Sequence, residues 1–237
     1  MKNTYRSLGN LASIPFPAPT ASYTPVPQED LWNLTVRQFE NRGYTVSKES
    51  HVVHHSKPIF VSNMTVSKPT ITNPEMEWTC ALVNSYNMTR PASILFGGRV
   101  FACSNGLMVA DHILKTKHTT HVWDRLPGMI SAAVNSFEEE VTNAAIFYNS
   151  LRDQFTSEQQ LSSFAVNLGR VGLLPKSSVV DFVDEAVNPS FDYDTNRMCL
   201  WNVHNAYTHL AKEFTITERP QRVMNFEKSL KAAYLLA

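Results

Sequence analysis

The hydrophobic pattern changes period near residue 107, and that change limits the folds open to the chain. Before it, apolar side chains alternate over Tyr44–His54 and again over Ile59–Val66. That is the period of a half-buried strand. His55-Ser56-Lys57-Pro58 between them is a turn, so the pair predicts a hairpin. Trp78–Asn84 and Ala92–Phe101 are the next strands, joined across Tyr86–Pro91, and Gly97-Gly98 marks a bulge or a close backbone approach. After residue 107 the apolar spacing becomes three and four. It predicts helices near 125–155, 157–170, 176–187, 196–213 and 220–236. One more helix, over 28–42, precedes the strands and stops at Gly43. Strands first and helices later predict an α+β fold. The expected architecture is an N-terminal antiparallel sheet with hairpins, packed against a helical C-terminal half. Residues 28–237 form one domain in this reading, sheet-rich over 44–106 and helical over 107–237. Residues 1–27 hold Pro15, Pro17, Pro19, Pro25 and Pro27. They predict an extended arm whose Phe16 and Tyr23 are available to a partner or to the protein's own body.

At 237 residues, 43% hydrophobic and 18% charged, the chain can bury a real core, which excludes global disorder. No apolar run approaches the roughly 18 residues of a membrane helix. Residues 1–27 lack the apolar core of a secretory signal. Cys80, Cys103 and Cys199 are too scattered for a disulfide framework. A reducing cytosol is the expected compartment.

The 21 basic and 21 acidic side chains cancel overall but are segregated. Residues 86–126 carry a net charge of +3, residues 127–196 carry −7, and residues 197–237 carry +3. Basic segments bracketing an acidic one suit a polyanion site on one face, or acidic helices paired with basic neighbours. The stretch 112–125, HILKTKHTTHVWDR, combines cations with an aromatic. Cations contact phosphates and an aromatic stacks on a base, which is how single strands are held. The same residues also suit a polar connector with Trp123 in the core.

Other chemistry finds less support. His51, His54 and His55 form one run, and His118 and His121 another. Neither reaches the three or four ligands that zinc requires, so no metal is expected. Cys103 and His118 have no flanking pattern of an activated nucleophile. No phosphate-cradling glycine loop occurs, so no cofactor is expected. Glu138-Glu139-Glu140 are consecutive and point different ways on a helix. No catalytic set emerges, and the chain reads as a non-enzyme.

Three stretches carry a family resemblance: residues 76–107, residues 117–126 and residues 200–209. Their elements are Asn84-Ser85, Cys103-Ser104-Asn105-Gly106-Leu107, Lys117-His118-Thr119 and Trp201 with Asn205-Ala206-Tyr207-Thr208. In order and spacing the chain resembles an uncharacterised family of phage- and plasmid-encoded proteins over roughly residues 76–210. Where that family carries a basic residue before Lys117, this chain has Thr116. The resemblance implies a phage or mobile-element origin and a role inside the infected cell. It supplies no catalytic residue. Asn84, Ser85, Asn105, Thr119, Asn202, Asn205 and Thr208 suit either a buried network with chain-turn caps or contacts to phosphates and bases.

Two functions follow as expectations. The first is a phage nucleic-acid-binding protein for single-stranded DNA, serving replication, recombination or transcription. Its contact residues would be Arg90, Arg99, Lys115, Lys117, His118, His121, Trp123 and Arg125. The second is a host-interaction or assembly protein that grips another protein through the Pro-rich arm. Either is compatible with a homo-oligomer, and neither involves a membrane.

Overall fold

The computed structural model describes residues 4–6, 11, 13–54, 56–71, 76–100, 112–190, 198–215 and 218–234. The fold is α+β, with a sheet followed by helices. The chain divides into two compact units: Met1–Gly98 with Ala110–Thr142, and Arg99–Val109 with Asn143–Ala237.

The first unit is built on a sheet of six strands among the described residues, in chain order: β1 (Thr4–Arg6), β2 (Thr45–Val53), β3 (Ile59–Ser67), β4 (Met76–Ser85), β5 (Ala92–Val100) and β6 (His112–Thr116). The expected hairpin is present, with β2 antiparallel to β3 and His54 N donating to Ile59 O at 2.9 Å. β3 and β4 pair antiparallel over Ile59–Val66, and β5 pairs antiparallel with β6. β4 and β5 are joined by only six residues, 86–91, too few for a parallel crossover. Gly98 is a close approach: a Cβ there would lie 3.3 Å from the Trp78 ring and 3.4 Å from Met76 Sδ.

Helix α1 (Gln28–Glu40) lies close to β2, β3 and β4. Pro27 at its N-cap offers no side-chain cap, so Gln28 N donates instead to the Tyr86 hydroxyl at 3.0 Å. Gly43, with φ at +78°, reverses the chain, and Tyr44 N bonds back to Phe39 O. That left-handed turn costs a β-carbon-bearing residue more than glycine. Helix α2 (Val122–Asp153) begins in this unit. Phe39 of α1, Phe96 of β5 and Phe137 of α2 are all fully buried. Their rings meet edge-to-face, with Phe39–Phe137 at 5.1 Å and Phe96–Phe137 at 4.8 Å. Tyr44 closes the group at 5.5 Å from Phe39 and 5.6 Å from Phe137. Burial of each phenylalanine contributes about 1.5–3 kcal/mol, and each aromatic pair about 0.5–1.5 kcal/mol more.

Two features depart from the expected outline. β1 and β6 fall in segments read as arm and as the start of the helical half. Both are edge strands, and pairing with a remote neighbour rather than local pattern makes them. Residues 11–27 are also not a free arm. Tyr23 and Val26 are buried, and Leu11 packs with Val53, Phe60 and Tyr86. Phe16 meets the Tyr86 ring edge-on at 5.1 Å. The prolines exclude helix and sheet from this segment, but they do not prevent it from lying against its own sheet.

The second unit is helical: the end of α2, then α3 (Glu158–Arg170), α4 (Val179–Val187), α5 (Leu200–Leu210) and α6 (Arg219–Tyr234). A capping box starts α3, with Gln160 N donating to Ser157 Oγ and Ser157 N to Gln160 Oε1. Tyr207 stacks on Phe226 at 3.9 Å, and His204 Nε2 lies 2.8 Å from Glu227 Oε1 with both side chains buried. The acidic loop 191–195 lies outside the described residues.

Because the phenylalanine group holds two helices to the sheet, Phe137→Ala is expected to lower unfolding stability by about 3–5 kcal/mol in urea titration. Phe137→Leu should cost clearly less. Equal effects of the two substitutions would show that ring packing contributes nothing there.

Candidate functional site

The register of β5 on β6 assembles a cleft from remote residues. Ala92 pairs with Thr116 and Ser93 with Lys115. Arg90-Pro91, just before β5, therefore lies beside Lys117-His118, just after β6. Residues 22–24 approach from the other side, where Thr24 N donates to His118 O at 3.2 Å. The result is a cleft of about 600 Å³ lined by Ser22, Tyr23, Met88, Arg90, Pro91, Lys115, Lys117, His118 and Thr119. Three of these are cations and none is a carboxylate. Period-two alternation leaves Lys115 and Lys117 exposed while Thr116 and His118 are buried. Cations thus stand at the rim, with an imidazole among the buried wall residues.

The wall carrying Arg90 is held at several points. Ser85 Oγ accepts from Arg90 N at 2.9 Å and donates to Arg90 O at 3.1 Å. Asn84 Nδ2 donates to Val26 O at 2.8 Å, tying β4 to the 11–27 segment. Asn87 Oδ1 accepts from Thr89 Oγ1 at 2.6 Å and from Thr89 N at 3.3 Å, a local Asx turn. Tyr86 N donates to Pro58 O at 2.9 Å. Within this frame Met88 adopts φ of +64° and is 62% exposed. A left-handed conformation costs a side chain such as methionine about 1 kcal/mol. The anchored turn maintains it, and it places an apolar side chain on the cleft wall.

His118 is 7% exposed; neither ring nitrogen makes a well-formed hydrogen bond, and only the backbone groups of Thr24 and Arg90 bear on the ring as weak partners. Its ring lies 5.5 Å from Tyr23. Burial lowers its pKa from the ordinary histidine value, while backbone groups of Thr24 and Arg90 act in the opposite direction. A buried donor without an acceptor costs about 1–3 kcal/mol, so an acceptor entering the cleft would relieve a standing penalty.

The sequence-predicted residues separate at this point. Arg90, Lys115, Lys117 and His118 come together in the cleft lining. Arg125 is adjacent: its guanidinium donates to Lys117 O and Thr119 Oγ1, stitching α2 to the cleft wall. His121 and Trp123 are not in the lining. The chain turns into α2 at Val122, His121 Nδ1 sits 3.1 Å from Asp124 Oδ2, and Trp123 is 38% exposed. The Arg99 side chain, Cys103, Asn105 and His55 lie outside the described residues. Three basic residues of the C-terminal segment have other occupations. Arg222 donates to Gly172 O, Arg219 to Lys212 O, and Lys231 stands over the Phe147 ring. Ser22, Tyr23, Met88 and Pro91 were missed by sequence reasoning. The one local signal for them is the Asn-x-Thr turn followed by Arg-Pro.

The short polar residues read as network or ligand contacts mostly bond local backbone. Asn205 Nδ2 donates to Trp201 O, and Thr208 Oγ1 to Asn205 O. His51 is occupied by Ser62 Oγ at 2.8 Å, and His54 Nδ1 accepts from Ser56 N. Among the described residues, no three His, Cys, Asp or Glu side chains gather as metal ligands. Cys80 is fully buried, and burial pushes its thiol pKa far above the usual range, the environment of an inert structural cysteine. No described helix is long and apolar enough to cross a membrane. In comparison with known proteins, the chain matches no family model, no curated protein and no solved structure.

Edge-strand lysines also block unwanted strand pairing, and Lys115 serves that end. Edge protection does not account for Arg90 on a turn, a strained Met88, or a buried, weakly partnered imidazole beside them.

Met88→Gly should relieve the left-handed strain, raising stability by up to about 1 kcal/mol in chemical denaturation. A loss of stability would show that Met88 is a packing residue. His118 also sets a pH dependence. Its folded-state pKa is lowered, so as pH falls below about 6.5 the unfolded chain takes up the proton first and stability drops. His51, lowered by burial in the same way, adds to that loss. Replacing His118 with Gln should flatten the thermal-stability profile between about pH 7 and pH 5. An unchanged slope would place the titration elsewhere.

Proposed function

We propose that this chain is a phage-encoded protein that binds single-stranded DNA through the cleft bounded by Arg90, Lys115 and Lys117, acting in replication, recombination or transcription in the host cytoplasm. The observation that supports this reading is the convergence of three cations from two remote segments, with no carboxylate among the described lining residues. The three side chains show no carboxylate partner among the described residues, so their charge is available to phosphate. Met88, Pro91 and Tyr23 supply apolar surface against which a base can rest. Exposed bases are what distinguish a single strand from a duplex.

The alternative of a partner protein held by the Pro-rich segment has less support, because residues 11–27 lie against their own sheet. The expected outcome of a fluorescence-anisotropy titration is low-salt binding of oligothymidylate that weakens as salt rises. Three phosphate contacts on a single strand give a slope of log K against log salt of about −2. The double substitution Lys115→Glu with Lys117→Glu should abolish binding while leaving circular dichroism unchanged. Absence of low-salt binding, or full binding by the double variant, would refute the assignment.

A further inference from the structure

Resting on that reading of the cleft and narrowing it, we propose that the ligand unit is a single nucleotide bearing a terminal phosphomonoester, such as the phosphorylated end of a strand, rather than a strand interior.

Size is the first reason. About 600 Å³ is the scale of a small-molecule site. Proteins that track strand interiors use grooves spanning roughly 4–16 nucleotides. Three cations about one compact cleft, with no carboxylate among its described lining residues, outnumber the charge of a single phosphodiester.

Charge is the second. A phosphomonoester carries about −1.5 to −2 near neutral pH and has three strong acceptor oxygens. An internal phosphodiester carries a single negative charge. Arg90, Lys115 and Lys117 therefore gain more from the end than from any internal link.

His118 is the third. It lines the same cleft, is more than nine-tenths buried, and has no well-formed partner for either ring nitrogen, only the backbone groups of Thr24 and Arg90 acting weakly on the ring. Such a donor is matched by an added acceptor oxygen, and only the terminal phosphate brings more than an interior link does. The hydroxyls of Ser22 and Thr119 line the same space. Met88, held in its left-handed turn, and Pro91 form the apolar side for the base. Thioether and ring surfaces accept a base face without dictating its identity.

The experiment compares 5′-phosphorylated and unphosphorylated oligothymidylate by anisotropy, with 3′-phosphorylated oligothymidylate, thymidine monophosphate, thymidine and inorganic phosphate as competitors. The expected result is that a terminal phosphate raises affinity about tenfold or more, the scale of one charge-assisted hydrogen bond. Thymidine monophosphate should compete where thymidine does not, and competition by the two oligonucleotides identifies which end is preferred. His118→Phe keeps an aromatic ring and should lose most of the phosphate preference. His118→Gln keeps a donor and should retain part of it. If both oligonucleotides bind equally and Lys115→Glu with Lys117→Glu still abolishes binding, the end-selective inference is overturned while the cleft remains the strand site. If neither binds, both readings fall. Competition by inorganic phosphate alone, as strong as by thymidine monophosphate, would also overturn the nucleotide assignment.

Discussion

Three phenylalanines from three elements fix the first unit. Phe39, Phe96 and Phe137 interlock at ring distances of 4.8–6.4 Å and bring α1, β5 and the first half of α2 onto one core. The candidate site depends on this grouping. β5 fixes the register of β6, and β6 leads through Lys117-His118 into α2. A shift of β5 by one residue would exchange inward and outward side chains on β6. Lys115 and Lys117 would then be buried, and Thr116 and His118 exposed.

The cleft is consequently assembled without a motif. One wall comes from a turn held by Ser85 and Asn84, one from the end of an edge strand, and one from a proline-rich segment docked by Tyr23 and Val26. Each wall belongs to the first unit, and backbone groups supply most of the bonds that hold the walls. Local backbone strain at Met88 and a weakly partnered buried imidazole at His118 are two costs borne in one small region. Structures that carry such costs together tend to do so where a ligand is received.

Much of the fold was legible in the sequence. Alternation over 44–54 and 59–66, the Gly43 stop, and three-and-four spacing near 125–155, 157–170 and 176–187 are local signals of local structure, and the structure follows them closely; the change of period read at residue 107 comes too early, because β6 occupies His112–Thr116. β1 and β6 were not legible, because three- and five-residue edge strands exist only through their partners. The candidate site was half legible. Lys115, Lys117 and His118 stand in one basic run, and Arg90 was grouped with them by charge. His121 and Trp123 lie away from the cleft lining, because the chain turns into a helix at Val122. Tyr23 and Met88 carry no charge and lie far from that run in sequence. Only the pairing of β5 with β6 and the docking of residues 11–27 place them there.

Chemical-shift mapping of the whole chain during titration with a phosphorylated oligothymidylate tests the central claim most directly. The cleft account predicts that the largest perturbations fall on residues 22–23, 88–91 and 115–119, with the His118 ring among them. Perturbations centred on the helical unit, or spread evenly over the basic surface, would contradict it.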